Sequence, residues 1–195
     1  KNEVSYTKKI NIVLKKTPGN KNTFLILGFR TVDQYSDKKY VFDLLTHILN
    51  GMSGRLFTLM RQKHNLVYSI TSESDEEEFM GYFSISTEFD GVYLKRVVQL
   101  LLNMCIDLAK NGVQEEEYHI GRKRLQGAHH ILHEDINTFA KYNGFEHLIF
   151  IRDTDQSRQH KKTEIVPFQN VWDIHYRNIT LVQLNSIMKE YFRRQ

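Results

Sequence analysis

The sequence predicts an α+β fold in a single domain spanning residues 1–195, with a mainly antiparallel sheet packed against helices. Three observations predict it. Short apolar stretches with strand-like alternation or continuity recur up to residue 89, and from residue 97 apolar residues recur at helical spacing. No Gly-, Ser- or Pro-rich tract and no short-period repeat divides the chain, whose 195 residues suit one domain. The composition, 41% hydrophobic and 26% charged, is that of an ordinary globular protein rather than a disordered or coiled-coil one.

The elements follow in order. Ile10, Ile12 and Leu14 alternate as a half-buried strand would, and residues 23–29 form a continuous apolar run suited to a central strand. Between them, Thr17-Pro18-Gly19-Asn20 predicts a type II turn, because Pro sets φ at its second position and Gly accepts positive φ at its third. Val41, Leu44, Leu45, Ile48 and Leu49 then share a helical face, with Ser36 or Asp37 as the expected cap and Gly51 as the break. Leu56, Leu59 and Met60 mark a second, short helix. Strands are expected over 66–70 and 82–89, the latter with Phe83, Ile85, Thr87 and Phe89 on one face. The acidic stretch 73–78 between them reads as an exposed loop, since its carboxylates repel one another.

The second half is helical. Val97, Val98, Leu101, Leu102, Cys105, Leu108 and Ala109 form a broad stripe that Asn111-Gly112 should end. Helices over about 114–134 and 136–151 follow, then a polar, basic loop over 154–163. Thr180 opens the last helix with a capping box to Gln183 and a staple from Ile179 to Leu184. Leu184, Ile187, Met188 and Tyr191 then face the core.

Several functional classes recede at this point. The net charge of +4 comes from cations scattered in twos and threes, which fits solvated faces better than a nucleic-acid site. No run of about 18 apolar residues exists to span a membrane. Cys105, the one cysteine, makes no internal disulfide, which fits a reducing intracellular compartment or organelle. It sits on an apolar helical stripe, as a core cysteine does. The chain opens on Lys1, which suggests a processed product or a piece of a longer protein. Nine histidines invite a metal reading, but neither H-E-x-x-H nor H-x-x-E-H occurs. His129 and His133 have a legitimate ligand spacing on a helix, beside His130, yet no third ligand or general base accompanies them. Exposed surface histidines are the plainer alternative.

One string stands apart: the residues from Leu49-Asn50-Gly51-Met52-Ser53-Gly54-Arg55-Leu56-Phe57 through Arg61-Gln62-Lys63-His64-Asn65-Leu66-Val67-Tyr68-Ser69-Ile70. A glycine-broken helix leads to a short amphipathic helix ending at Arg61, and Tyr68 follows seven residues later. The string resembles the half-domain without the metal site of the pitrilysin/insulinase-type zinc metallopeptidases, where L-G-x-x-x-S-R-L-F-x-x-L-R-E-K-x-G-L-x-Y-S is found. Gly28-Phe29-Arg30, the strand Gly81-Tyr82-Phe83-Ser84-Ile85, and the helix with Lys123, Leu125, Gly127 and Glu134 fall in the family's order, so the likeness runs over roughly 8–192.

The resemblance implies a half-domain like those of LuxS and the mitochondrial processing peptidase, here the C-terminal half of a two-half enzyme closing around a chamber. It implies zinc in the parent enzyme, held by a separate N-terminal half through H-x-x-E-H and not by this chain, which alone should be inactive. It implies a peptide substrate met by Arg61 and Tyr68. The residue types suit that work: peptide hydrolysis develops an oxyanion to which a phenol O–H can donate, and a guanidinium offers forked donors for a peptide carbonyl or for orienting the tyrosine. An extended peptide adding to a sheet edge is a further expectation. The competing structural roles are an Arg61 pairing with a helix-end carboxylate and a Tyr68 half-buried in a strand. The sequence departs from the pattern at Gln62, where a carboxylate is usual, and at Asn65, where glycine is usual. Asn tolerates a left-handed backbone, so the turn is expected to survive. Inactive members of the same family, which serve as core or scaffold subunits of membrane complexes, give the alternative function.

Overall fold

A computed structural model describes residues 12, 13, 15, 19, 21–153 and 165–192, the side chains of 149–153 excepted. The strand expected over 10–14 and the loop over 154–163 fall largely or wholly outside these residues. Gly19 is described, and its φ of +80° is what the third position of the expected turn requires.

Strand β1 (Asn22–Thr31) carries the expected apolar run, but among the described residues it lies at one edge of the sheet rather than at its centre, and Phe24 and Ile26 on one face are exposed. Helix α1 (Lys39–Leu49) buries Val41, Leu44, Leu45, Ile48 and Leu49 as its periodicity dictates. Its N-cap, however, is Lys38, which offers no side-chain cap. Ser36 acts one turn early, its Oγ accepting from the Lys38 N–H at 3.3 Å, so neither Ser36 nor Asp37 is the cap expected of them. The short helix α2 (Arg55–Phe57) continues into a π-helical turn, Thr58–Lys63.

Strands β2 (Ser69–Glu76) and β3 (Gly81–Asp90) complete an antiparallel sheet in the order β1-β3-β2. The acidic stretch is therefore mostly not a loop: 73–76 form the second half of β2, at the sheet's edge, and 77–80 make the turn, closed by the Glu77 N–H donating to the Met80 carbonyl at 2.9 Å. Alternation resolves the repulsion. Glu73 and Asp75 share the outer face about 7 Å apart, while Ser72 and Ser74 take the inner one. Charges on a sheet edge also discourage foreign strands from pairing there. The strand expected at 66–70 starts three residues late, because Leu66 and Val67 drop into the core from a turn rather than alternating.

Helices α3 (Leu94–Asn111), α4 (Glu115–Glu134), α5 (Ile136–Asp153) and α6 (Leu181–Phe192) match the expected order and bounds closely. Gly112 ends α3 with φ +74°. The Thr180 hydroxyl accepts from the Gln183 N–H at 3.2 Å while the Gln183 side chain accepts from the Thr180 N–H at 2.9 Å, the capping box read from the sequence. Two short turns the sequence did not announce, Phe168–Asn170 and Trp172–Tyr176, lie between α5 and α6.

The helices cover one face of the sheet. α1 packs against α4 and β2, α3 against α6, and α6 against β1. Phe83, Ile85, Thr87 and Phe89 of β3 are all buried under them. Phe29 and Phe83 meet Phe192 edge-on or tilted at 4.5 and 5.6 Å between ring centroids, and Phe42 closes the group against Phe83 and Tyr191. Truncating any of the fully buried aromatics costs about 3–5 kcal/mol, so this cluster fixes the sheet on its helices. No helix among the described residues is long and apolar enough to cross a membrane.

Candidate functional site

The singled-out string folds into a corner built around α1's C-terminus. Gly51 has φ +80°, and the Arg124 guanidinium from α4 lies flat against it, where a Cβ would sit 3.2 Å away. Arg124 donates to the Asn50 carbonyl at 2.5 Å, to the His47 carbonyl at 3.4 Å and to the Ser53 hydroxyl, a cation placed on the negative end of α1. Gly54 has an ordinary φ but no room: a Cβ there would overlap the carbonyl oxygens of Leu49 and Asn50. Both glycines are demanded by geometry.

Arg55 anchors the other side. Its Nε and Nη2 grip Glu117 at 2.7 and 2.5 Å, Nη1 reaches Asp107 at 3.2 Å, and Nη2 also donates to the Gly112 carbonyl at 3.2 Å. Glu117 is at once the third residue of α4's capping box, accepting from the Gln114 N–H at 2.9 Å. Burial works to raise the Glu117 carboxyl, but the hydrogen bonds from Arg55 and Gln114 outweigh it and hold the group below the usual carboxylate range.

Asn50 ties the corner to the sheet. Its amide donates to the Ser72 carbonyl at 2.8 Å and its oxygen accepts from the Ser72 N–H at 2.7 Å, as a neighbouring strand would. The β2 edge is thereby occupied at Ser72, so the edge open to an added peptide is shorter than the sequence suggested.

Arg61 and Tyr68 are brought together on this frame. Asn65 has φ +48°, the left-handed conformation expected of it, and turns the chain back so that the Leu66 N–H donates to the Met60 carbonyl at 3.0 Å. Arg61 then lies alongside the returning segment, and its Nη1 donates to the carbonyls of Val67 at 2.5 Å and Tyr68 at 3.4 Å. It has no carboxylate partner among the described residues, contrary to the structural role weighed for it. Tyr68 precedes β2, held by its N–H donating to the Glu88 carbonyl at 2.8 Å. Its side chain is 58% exposed rather than half-buried, and its hydroxyl has no hydrogen bond among the described residues.

Ser69 begins the sheet's outer face, which no helix among the described residues covers. Register places Phe24, Glu88 and Ser69 in one row there, and Ile26, Ser86 and Thr71 in the next. Phe24 and Ile26 are 65% and 60% exposed. Beside them a cleft of about 390 Å³ opens over Gly28 and Ser84, between Arg30 and Glu73.

Among the described residues no group of three or more His, Cys, Asp or Glu is placed to hold an ion. His130 and His133 are exposed, but His129 is a correction to the surface alternative. It is buried against Phe168 at 4.8 Å between centroids, near Trp172 and Tyr176, with Nε2 unpartnered. Burial, then His133 and His130, push its pKa down. The signal missed was the aromatic run Phe168, Trp172 and Tyr176, spaced to pack on one helix. Cys105 is buried, and burial pushes its thiol up to about 12, a core cysteine rather than a nucleophile.

Comparison with known proteins identifies the family and the fold. The family described as the peptidase M16 inactive domain matches residues 2–125. An uncharacterized zinc protease of Mycobacterium leprae is 27% identical over 139 residues, covering 65% of this chain and 31% of its own length. The uncharacterized zinc protease YmxG of Bacillus subtilis is 25% identical over 126 residues, with 64% and 31% covered. The chain thus spans 31% of the length of each of these relatives. Two solved structures share the fold: the peptidase M16 inactive domain from Pseudomonas fluorescens, with TM-score 0.68 at 19% identity over 88% of this chain and 38% of that one, and the inactive peptidase domain from Bordetella parapertussis, with TM-score 0.70 at 14% identity over 93% and 91%. An α+β domain that builds its Arg61–Tyr68 corner on this string, and that matches over residues 2–125, belongs to the peptidase M16 inactive-domain family.

Proposed function

We propose that the chain is the substrate-binding C-terminal half of a zinc metalloendopeptidase, completing a chamber whose zinc a separate N-terminal half holds. The observation that supports this most is the pairing of Arg61 with the carbonyls of residues 67 and 68 while the Tyr68 phenol stays exposed and unbonded. A tyrosine fixed through its own backbone, with its hydroxyl uncommitted, is preorganised to donate to charge that develops on something else. Arg61 acts in part as a positioning residue, and its Nε and Nη2, without partners among the described residues, remain for a substrate carbonyl. The uncovered sheet face, with Phe24 and Ile26 exposed, is the surface this reading gives to the chamber.

The test is complementation with the zinc-bearing half. Neither half alone should cleave a peptide, the two together should, and Arg61→Ala should lower the joint rate at least about tenfold. Cleavage by the zinc-bearing half alone at the full rate would refute the proposal. Assembly of the two halves with no cleavage of any peptide would favour a scaffold subunit instead.

A further inference from the structure

The cation triplet Arg122-Lys123-Arg124 divides in the fold. Arg124 turns onto α1, whereas Arg122 and Lys123 face a cleft of about 350 Å³ between α4 and the segment ending at Arg177. His119, Arg122, Lys123 and Gln126 line it at the i, i+3, i+4, i+7 spacing of one helical stripe, and Trp172 and Arg177 stand opposite.

The charges there are unequally satisfied. Arg177 pairs with Asp173 at 2.9 Å, and His119 lies 3.7 Å from Glu115. Among the described residues Arg122 meets only neutral acceptors: Nη1 donates to the Tyr118 hydroxyl at 2.9 Å and the Ile179 carbonyl at 3.4 Å, and Nη2 to the Arg177 carbonyl at 3.0 Å. Those bonds fix the guanidinium without neutralising it. No carboxylate pairs with Arg122 or Lys123 among the described residues. One cation is thus held rigidly and a second sits on a mobile stem one residue away, beside the Gln126 amide and a half-buried indole.

A rigid fork and a movable ammonium are the pair of groups that phosphate oxygens accept from best. An indole beside them suits a planar or apolar body attached to the phosphate. We propose that this cleft binds a phosphate-bearing anion, with Arg122 and Lys123 on the phosphate and Trp172 against the rest of the ligand. The proposal involves neither Arg61 nor Tyr68 and stands apart from the peptidase reading.

Trp172 is the chain's one tryptophan, so its emission reports on the cleft directly. The 195-residue chain is titrated at constant ionic strength with inorganic triphosphate and, separately, with adenosine triphosphate, sodium chloride serving as the control. The expected result is a saturable emission change with Kd at or below about 1 mM, absent with chloride. Lys123→Glu should raise that Kd at least about tenfold with the circular dichroism unchanged, and Lys123→Arg should preserve binding. Equal affinity for the two anions assigns the site to the phosphate chain alone, and tighter nucleotide binding adds stacking on Trp172; both support the proposal. No saturable change with either anion, by fluorescence and by calorimetry, would overturn it, as would Lys123→Glu binding like the unaltered chain.

Discussion

The Arg55–Glu117 clamp makes the most quantitative claim in the structure. Arg55→Met removes a guanidinium whose side chain is 15% exposed and which makes four hydrogen bonds, two of them to a Glu117 that is itself only 28% exposed. Breaking a well-buried pair costs about 3–5 kcal/mol. The Asp107 arm adds little to this, because that carboxylate is 51% exposed and screened by water. Glu117 also keeps its capping bond from the Gln114 N–H, which softens the loss. The expected cost is therefore at the lower end, about 3 kcal/mol.

Urea denaturation of Arg55→Met, Glu117→Gln and the double variant isolates the pair, with an expected coupling of at least about 1.5 kcal/mol at pH 7. The pH dependence has a definite sign. Glu117 is held below its usual value of 4.5 in the fold, so the unfolded chain binds more protons as the solution is acidified. The clamp's contribution is complete above that value and is lost as pH falls through the lower, folded one. A coupling below about 0.5 kcal/mol at pH 7, or one that grows on acidification, would refute this account of the corner.

Three further outcomes follow from the same geometry. Gly54→Ala places a methyl group on two backbone carbonyls and should destabilise the chain by about 1–3 kcal/mol despite an ordinary φ, measured by the same denaturation. Asn50→Ala strands the N–H of a Ser72 that is 2% exposed and leaves its C=O only a long bond from the Thr71 hydroxyl at 3.5 Å, costing about 1–3 kcal/mol and accelerating hydrogen exchange at the Ser72 amide; unchanged exchange would contradict the edge-plugging role. His129 is kept neutral by burial and by His133 and His130 on α4, against which Asp43 of α1 acts weakly, so its folded pKa lies below 6.5. Stability should fall as pH drops below that value, and His129→Leu should flatten the dependence and gain about 1 kcal/mol; an identical pH profile in the variant would sink the claim.

What the sequence disclosed, and what it hid, have physical causes. Amphipathic stripes such as Val41 to Leu49 were legible because burial of one helical face repeats every 3.6 residues. The left-handed turn at Asn65 and the stop at Gly112 were legible because few residues tolerate such a backbone. The acidic stretch 73–78 reads as a loop although 73–76 are strand, since charge alone does not exclude an edge strand, whose outer face is solvated. Leu66 and Val67 misled in the opposite sense, because two adjacent apolar residues that enter the core from a turn look like the start of a strand. At the site, the positions of Arg61 and Tyr68 came from the likeness of the string to a known family, whereas their contact through the carbonyls of residues 67 and 68 required coordinates. The roles of Arg55 and Arg124 were hidden because their partners lie at least 52 residues away in sequence.

Tyr68→Phe, assayed in the complex reassembled with the zinc-bearing half, bears most directly on the central claim. It removes one hydroxyl from an exposed side chain with no hydrogen bond among the described residues, so folding and assembly should be unchanged. If that phenol donates to charge developing on the substrate, kcat falls at least about tenfold with KM little altered. Cleavage at the unaltered rate would show that Tyr68 does not serve the reaction, and the reading of this corner as a substrate site would fail with it.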